Sequence, residues 1–517
     1  MFCVCPRKHG RDSKLLMTNP QFPAPAALDH AEVRAVVIGI MLAMFLGALD
    51  QTIVATALPT IGRRFGEVEN LSWVVTAYLL TATASVPLYG KLSDIHGRRT
   101  MMLIAIGIFA VGSVACALAP SLVALALARA LQGLGGGGLL SLSQIIIGDI
   151  VAPKERGRYQ GYFGFVFAIA SVGGPVLGGV LAEHLHWSLI FWINLPIGLV
   201  ALAMTYRALA RLPRHERPHQ LDFIGAFLVV AATVALLLAL TWGGARYPWS
   251  SPAIVSLLAA SAVLCVLFVA RIATAPEPFL PPAVLRNPVV GLGISSVSCV
   301  FGTMIGLSIF VPLYFEVVLH LSASESGLGL IPLMGGTVAG ATLSGQIMAR
   351  VAHYKRLPVI GLILAIAGIA LIALKPEGLP PLAIAAALGV AGVGMGAVFP
   401  VTTVSVQNAV PLWQLGTATG VMNFFRQLFG AIIVAAFGAI VLGGGMAQGG
   451  VEALATAAGR MGLDLAGAFR WVFVAAAGVM TVGLALLIAM EERPLRSAAS
   501  APASPDGPVG SASVPAE

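Results

Sequence analysis

The sequence predicts an all-α integral membrane protein with fourteen transmembrane helices, and three observations carry that prediction. Of its 517 residues, 58% are hydrophobic and only 10% charged, against about 25% charged in an ordinary globular chain. So few charges cannot cover the surface of a soluble fold of this size. The mean hydropathy of +0.92 makes lipid the solvent for most of the chain. Finally, apolar stretches of about 20 residues, the length that spans a bilayer as a helix, recur from one end to the other.

Taken in order, these stretches are 35–58, 72–90, 101–119, 121–147, 159–182, 188–209, 223–242, 252–271, 289–318, 324–349, 357–374, 381–407, 415–443 and 468–490. The division that follows is a head over 1–34, a first six-helix bundle over 35–209, a basic linker with two inserted helices over 210–288, a second six-helix bundle over 289–492, and a tail over 493–517. The tail is rich in Ala, Pro and Ser and reads as disordered. The head mixes Arg7, Lys8, Arg11 and Lys14 with prolines and has no apolar core. No cleavable signal peptide is therefore expected, and the first helix serves as its own address.

Basic residues orient the bundle. With both termini in the cytoplasm, 22 Lys and Arg fall on the cytoplasmic side and 6 on the other, while Arg129 and Arg426 lie within spans. That asymmetry follows the positive-inside pattern and assigns the net charge of +8 to the anionic inner leaflet, not to nucleic acid. Of the five cysteines, Cys116, Cys265 and Cys299 sit in apolar runs and read as small hydrophobes, not as a disulfide framework.

Glycine is abundant, 59 residues or about 11% against a usual 7%, and clusters at Gly135 to Gly138, Gly173–Gly174, Gly178–Gly179 and Gly443 to Gly445. Inside spans such clusters let helix backbones approach closely; they suit either a moving bundle or static close packing. An internal echo is also visible. Pro153, Gly157 and Gly161 open helix 5 as Pro411, Gly416 and Gly420 open helix 13, and Gly90 and Asp94 near the end of helix 2 match Gly345 and Ala349 in helix 10. Parallel repeats of this kind are a transporter signature.

No enzyme emerges. His215-Glu216-Arg217-Pro218-His219 matches the H-E-x-x-H zinc pattern, but Pro218 breaks the helix that motif needs. No G-x-x-x-x-G-K-[ST] phosphate loop is present, so an ion gradient is the expected energy source, and no cofactor or metal is called for.

Charges within spans carry the chemistry, because each is costly in hydrocarbon. Asp50 on helix 1 and Arg129 on helix 4 lie at the same depth, about 12 Å from the outer membrane surface. They are expected to face one cavity as a proton-switched pair, with a static interhelix pair as the alternative. Asp94, Arg98 and Arg99, spaced with Gly90 and Gly97, are expected to latch the two halves at the cytoplasmic end of helix 2. Arg426 lies near the midplane of helix 13, and Glu316 near the outer end of helix 9, as an interfacial residue, a substrate-cation site or a second proton site. Trp73, Tyr78, Trp192 and Phe424 could stack on a flat ligand, with packing or interface anchoring the favoured reading of each one singly.

With these residues in place, the sequence resembles the major facilitator superfamily, specifically its fourteen-helix drug:proton antiporters. The helix 1 signature is matched from Leu49-Asp50-Gln51-Thr52 to Leu58-Pro59, and the helix 2–3 motif at Gly90, Leu92, Asp94, Gly97, Arg98 and Arg99. The helix 4 motif is matched at Arg129, Gln132 and Gly133, and the antiporter motif of helix 5 at Gly174, Pro175, Gly178 and Gly179. Asn423, Arg426 and Gln427 resemble the family's helix 13. The resemblance implies two six-helix bundles with two inserted helices, proton coupling through Asp50 and Arg129, and export across the bacterial cytoplasmic membrane. Gln132, Glu316, Asn423 and Arg426 stand as the candidate substrate or second charge site. The expected cargo is an amphipathic or cationic drug exchanged for protons; a periplasmic adaptor is a further candidate partner. A dedicated exporter of one metabolite, and a sensor or scaffold that transports nothing, are the alternatives.

Overall fold

A computed structural model describes residues 30–66, 71, 73–211, 222–244, 246–351, 353–376, 378–442 and 465–495. Head residues 1–29, the 212–221 connector with its H-E-R-P-H segment, Gly443 to Gly445 and tail residues 496–517 lie outside the described residues. The described residues form long helices with no strand beyond a single bridge between Gly243 and Tyr247.

The first half comprises α1 (His30–Phe65), α2 (Trp73–His96), α3 (Arg98–Ala117), α4 (Leu122–Ile150), α5 (Pro153–His184) and α6 (Asn194–Ala208). Then come α7 (Phe223–Trp242) and α8 (Pro252–Thr274), and the second half, α9 (Pro288–Val317), α10 (Ile331–Met348), α11 (Arg356–Leu374), α12 (Pro381–Asn408), α13 (Leu415–Leu442) and α14 (Leu465–Ala489). Thirteen spans among the described residues are long and apolar enough to cross a membrane. α2 has the length but is not among them. Its Thr, Ser and Tyr residues, with Lys91 and Asp94, are largely buried against protein, so this helix has little need of the lipid-compatible surface that apolarity measures.

Helix ends follow local chemistry. Ser121, Asp222, Ser251 and Asn287 each accept a hydrogen bond from a first-turn amide of α4, α7, α8 and α9, satisfying donors that have no partner within the helix. Proline occupies the first turn of α5, α8, α9 and α12, where its missing N–H costs nothing. α1 runs on to Phe65 and stops where Gly66 takes φ +71°, a left-handed conformation that glycine adopts without strain. Gly97, at φ +85°, turns α2 directly into α3.

The two halves own separate cores. One large apolar cluster is drawn wholly from residues Val289 to Met490; two others come from Val36 to Leu209, with only Leu415 crossing over. Between the halves α2 packs on α13, and α5 on α10. These seams lie toward the face that carries the basic connectors, hereafter the basic face. Toward the opposite face the halves part around a cavity of about 530 Å³, bounded by α1, α2, α7, α9 and α13. Leu127, Leu199, Phe227, Val266 and Leu382 are among many large apolar side chains exposed around the bundle, as a lipid-facing belt requires.

Candidate functional site

Asp50 is fully buried at the centre of the first half, and four helices meet on it. Arg129 Nη1 of α4 donates to its Oδ2 at 2.5 Å, while Gln132 Nε2 of α4 and Asn194 Nδ2 of α6 donate to Oδ1 at 2.8 and 2.9 Å. Ser113 of α3 accepts from the same two amides, at 2.7 Å from Gln132 and 3.3 Å from Asn194. The guanidinium is over-determined: Nη1 also reaches Gln132 Oε1 at 2.6 Å, Nε donates to the Val74 carbonyl at 3.1 Å, and Cζ stands 4.2 Å over the Tyr78 ring. With Asp50 0% and Arg129 1% exposed, removing either partner would strand a buried charge, at a cost of about 3–5 kcal/mol.

This geometry joins the two charges that the sequence places at one depth and corrects their surroundings. Neither lines the cavity; the next residue, Gln51, does. A helix directs adjacent side chains about 100° apart, so Gln51 faces the gap between halves while Asp50 faces into its own half. Gln132 is also reassigned: it belongs to the Asp50 cluster and not with Asn423 and Arg426. Asn194 and Ser113 escaped the sequence reading, although an Asn in the apolar stretch 188–209 was a visible signal.

Asp94 bridges the halves. Its carboxylate accepts from the Gly416 and Thr417 amides at 3.1 and 2.7 Å and from the Thr417 hydroxyl at 2.7 Å. It thereby serves as an anionic cap on the N-terminus of α13, where exposed amides and the helix dipole favour negative charge. Arg98 fastens it from behind, donating to Asp94 and Asp149 at 2.6 Å each and to Ser93 at 2.8 Å. Gly90 allows the approach: a Cβ there would lie 2.6 Å from the Gly416 carbonyl and 3.1 Å from Gly420 Cα. Arg99 takes no part and instead stacks 4.3 Å over the Tyr206 ring. Asp149, at the end of α4, was not singled out in the sequence.

The helix 5 motif is a seam onto the Asp50 helix. Gly174 and Gly178 would each drive a Cβ into α1, at Thr52 and Ile53 and at Thr56 and Ile53 respectively. Thr52 Oγ1 also donates to the Ala170 carbonyl at 2.8 Å, tying α1 to α5 one turn before Gly174. Gly179 does not belong to this seam; no atom lies within 4 Å of the Cβ it lacks. The i, i+4 pair 174 and 178 shares a face, and 179 is turned away from it.

The remaining candidates are scattered. Arg426 contacts Asn423 Oδ1 at 3.3 Å and stands 4.6 Å over Phe301 and 5.3 Å over Phe399; no carboxylate pairs with it among the described residues. Glu316 is half-buried near the end of α9 and is not brought to Arg426 by any hydrogen bond or ion pair among the described residues. Of the aromatic candidates, Tyr78 lies under Arg129, Trp73 packs edge-on at 5.4 Å against Trp242, and Phe424 packs at 5.4 Å on Phe425. Trp192 is partly exposed on the outside. None of the four lines the cavity. The tryptophan that does is Trp249.

Comparison with known proteins agrees with this architecture. The family model of the Major Facilitator Superfamily matches residues 40–435. An MFS-type transporter of Mycobacterium tuberculosis, Rv1877, is 35% identical over 89% of this chain and 69% of its own. Multidrug transporter protein MdtP of Bacillus subtilis is 34% identical over 78% of this chain and 74% of its own. The crystal structure of the human organic anion transporter MFSD10 superposes with a TM-score of 0.62 at 19% identity, covering 88% of this chain and 99% of that one; at that identity the likeness is one of fold. Two separately cored helical halves, seamed at one face and parted around a cavity at the other, are thus joined to a family match across most of the sequence: the chain belongs to the major facilitator superfamily and is a multi-pass membrane transporter, not an enzyme.

Proposed function

We propose that the protein exports amphipathic organic compounds from the cytoplasm in exchange for protons, working by alternating access in the bacterial cytoplasmic membrane with the basic face and both termini inside. The observation that carries this reading is the buried Asp50–Arg129 pair, closed at 2.5 Å one residue from Gln51 on the cavity wall. A proton arriving on Asp50 abolishes its charge and releases Arg129, whose guanidinium is left to the Val74 carbonyl, Gln132 and the Tyr78 ring. The pair bolts α1 to α4, and the Gly174–Gly178 seam bolts α1 to α5, so its state acts on the packing of the whole first half. A proton drives transport only by binding the two conformations unequally, and a bolt that one protonation opens meets that condition.

With the basic face inside, the basic-face seams and the opposite-face cavity are those expected of the outward-facing member of the cycle. Opening inward requires Asp94 to leave α13 and the α2–α13 and α5–α10 seams to part. Names of relatives such as multidrug transporter protein MdtP favour a drug-like cargo over a single metabolite. Proteoliposomes with an imposed pH gradient test the reading. Wild type is expected to move cargo against its gradient and to release protons on cargo addition, whereas Asp50→Asn, less stable because Arg129 is left uncompensated, should keep downhill exchange but lose uphill transport. Uphill transport by Asp50→Asn would refute the proton role.

A further inference from the structure

The two helices between the halves form part of the cavity wall. α7 packs against α2 of the first half and α13 of the second. Beyond it the chain folds back: Tyr247 N and Arg246 N donate to the Trp242 carbonyl at 3.0 and 2.8 Å, and Gly244 N donates to the Tyr247 carbonyl at 2.9 Å. Gly244 takes φ +75°. A Cβ on Gly243 would lie 2.7 Å from the Trp249 ring, and one on Gly244 2.9 Å from its Nε1. Glycine at both positions therefore lets the indole lie against the end of α7, where Trp249 lines the cavity together with Leu237, Leu240 and Thr241.

The facing wall is low in relief. Gly430, Ala431, Val434, Ala435 and Gly438 of α13 line it beside Gln427, all on one side of the helix, with valine the largest apolar side chain among them. The polar groups of the lining, Gln51, Thr76, Thr83, Thr241 and Gln427, are neutral, and no charged residue lines the cavity among the described residues. Asp50 is engaged by Arg129, and the charge next to Gln427 is the cation Arg426. Glu316 follows Phe310, the last α9 residue of the lining, by six residues, about 9 Å farther along the helix. A cation desolvated here would meet no counter-charge, a costly arrangement. An uncharged ring with hydrogen-bonding groups would meet a matching surface, in a volume within the usual range for small-molecule sites.

We propose that α7, with Trp249 folded back on its end, is a specificity wall of the cargo site, and that the cargo is an uncharged, flat, amphipathic compound stacked between Trp249 and the face of α13 lined by Gly, Ala and Val. This rests on the efflux reading above for its direction of transport but not for its binding chemistry. The test is equilibrium binding of radiolabelled chloramphenicol, an uncharged ring compound, and of ethidium, a planar cation, to the purified full-length protein in detergent without a gradient. Wild type should bind chloramphenicol saturably and more tightly than ethidium. Trp249→Ala should weaken chloramphenicol about tenfold, Trp249→Phe should retain most of the affinity, and Thr241→Val should cost about threefold. Val266→Ala, on the exposed side of α8, should change nothing. Tighter binding of ethidium, absence of saturable chloramphenicol binding, or Trp249 and Thr241 variants within twofold of wild type would overturn the proposal. Binding as expected without proton-driven flux in liposomes would overturn the antiport reading and leave this one standing.

Discussion

Gly157 of α5 and Gly345 of α10 touch across the interface between the halves, so closely that a Cβ on Gly157 would lie 2.8 Å from the Gly345 carbonyl oxygen. Gly90 of α2 and Gly416 of α13 meet in the same way, at 2.6 Å for the corresponding Cβ and carbonyl. These four glycines are the positions of the internal sequence echo. The element that opens helix 5 meets the one that closes helix 10, and the element that closes helix 2 meets the one that opens helix 13. The repeat thus places equivalent seams on both sides of the cavity axis, and both must part for the basic face to open.

Substituting Gly345 with Leu should therefore hold the basic face open. Overpacking of a close contact costs about 1–3 kcal/mol, which shifts a two-state balance by roughly tenfold or more. A Thr342→Cys reporter, on the residue that packs against Gly161, should react faster with a membrane-impermeant thiol reagent from the basic side. An unchanged labelling rate would show that the seam does not limit opening.

The Asp94 cap should be graded in its effect. Asp94→Ala removes the acceptor for two amides and a hydroxyl of α13 together with the Arg98 partner, whereas Thr417→Val removes only the hydroxyl donor. Hydrogen bonds to a charged group contribute about 1.5–3 kcal/mol each. Thr417→Val is expected to shift the balance toward the basic-face-open state about tenfold, and Asp94→Ala to shift it further, at unchanged expression, read as faster labelling of the Thr342→Cys reporter from the basic side. Equal rates for the two variants would mean that the backbone amides contribute nothing to the latch.

Spans and intramembrane charges were legible because hydrocarbon imposes a one-dimensional rule: length and apolarity locate the helices, and a charge within one stands out. Asp50 and Arg129 could be paired by depth alone. Direction around a helix was less legible, and that is why the pair was placed on the cavity when Gln51 occupies that face. Asn194 lies 144 residues from Asp50 in the chain and is neutral, so its polarity within an apolar stretch marks it but neither charge nor spacing ties it to Asp50. Trp249 reaches the cavity only because two glycines fold the chain back on α7. Gly179 matched a motif yet points away from its seam, since a motif fixes spacing but not which of its glycines meets a neighbour.

The α7–α8 pair carries a pH signature of its own. Burial works to raise the Asp222 carboxyl, but the Gly225 amide, Arg271 and the Phe279 amide outweigh it and hold the group below the ordinary carboxylate range. A lowered folded value means that Asp222 stabilises the fold at pH above its unfolded value of about 3.9 and that this contribution is lost as pH falls through the folded one. Asp222→Asn keeps an acceptor for the Gly225 amide but loses the charge that faces Arg271, so it should lower stability in detergent at pH 7, read as the thermal midpoint, by up to about 1 kcal/mol, the scale of a partly exposed ion pair. The gap from wild type should narrow on acidification below about pH 4. A gap independent of pH would show that the effect is steric.

Arg129→Lys separates charge from geometry at the central pair. The guanidinium holds Asp50 and Gln132 from Nη1 while Nε reaches the Val74 carbonyl, a fork that the single ammonium of lysine cannot span. The charge is conserved, so the protein should still fold, with a lower thermal midpoint, and pH-gradient-driven uptake should fall to the downhill level. Asp50→Asn combined with Arg129→Gln removes both buried charges and leaves none uncompensated. It should recover stability relative to either single variant without recovering uphill transport. Full coupling in Arg129→Lys would mean that a positive charge alone suffices and that the fork is structural. Recovery of uphill transport in the double variant would move the proton site away from Asp50 altogether.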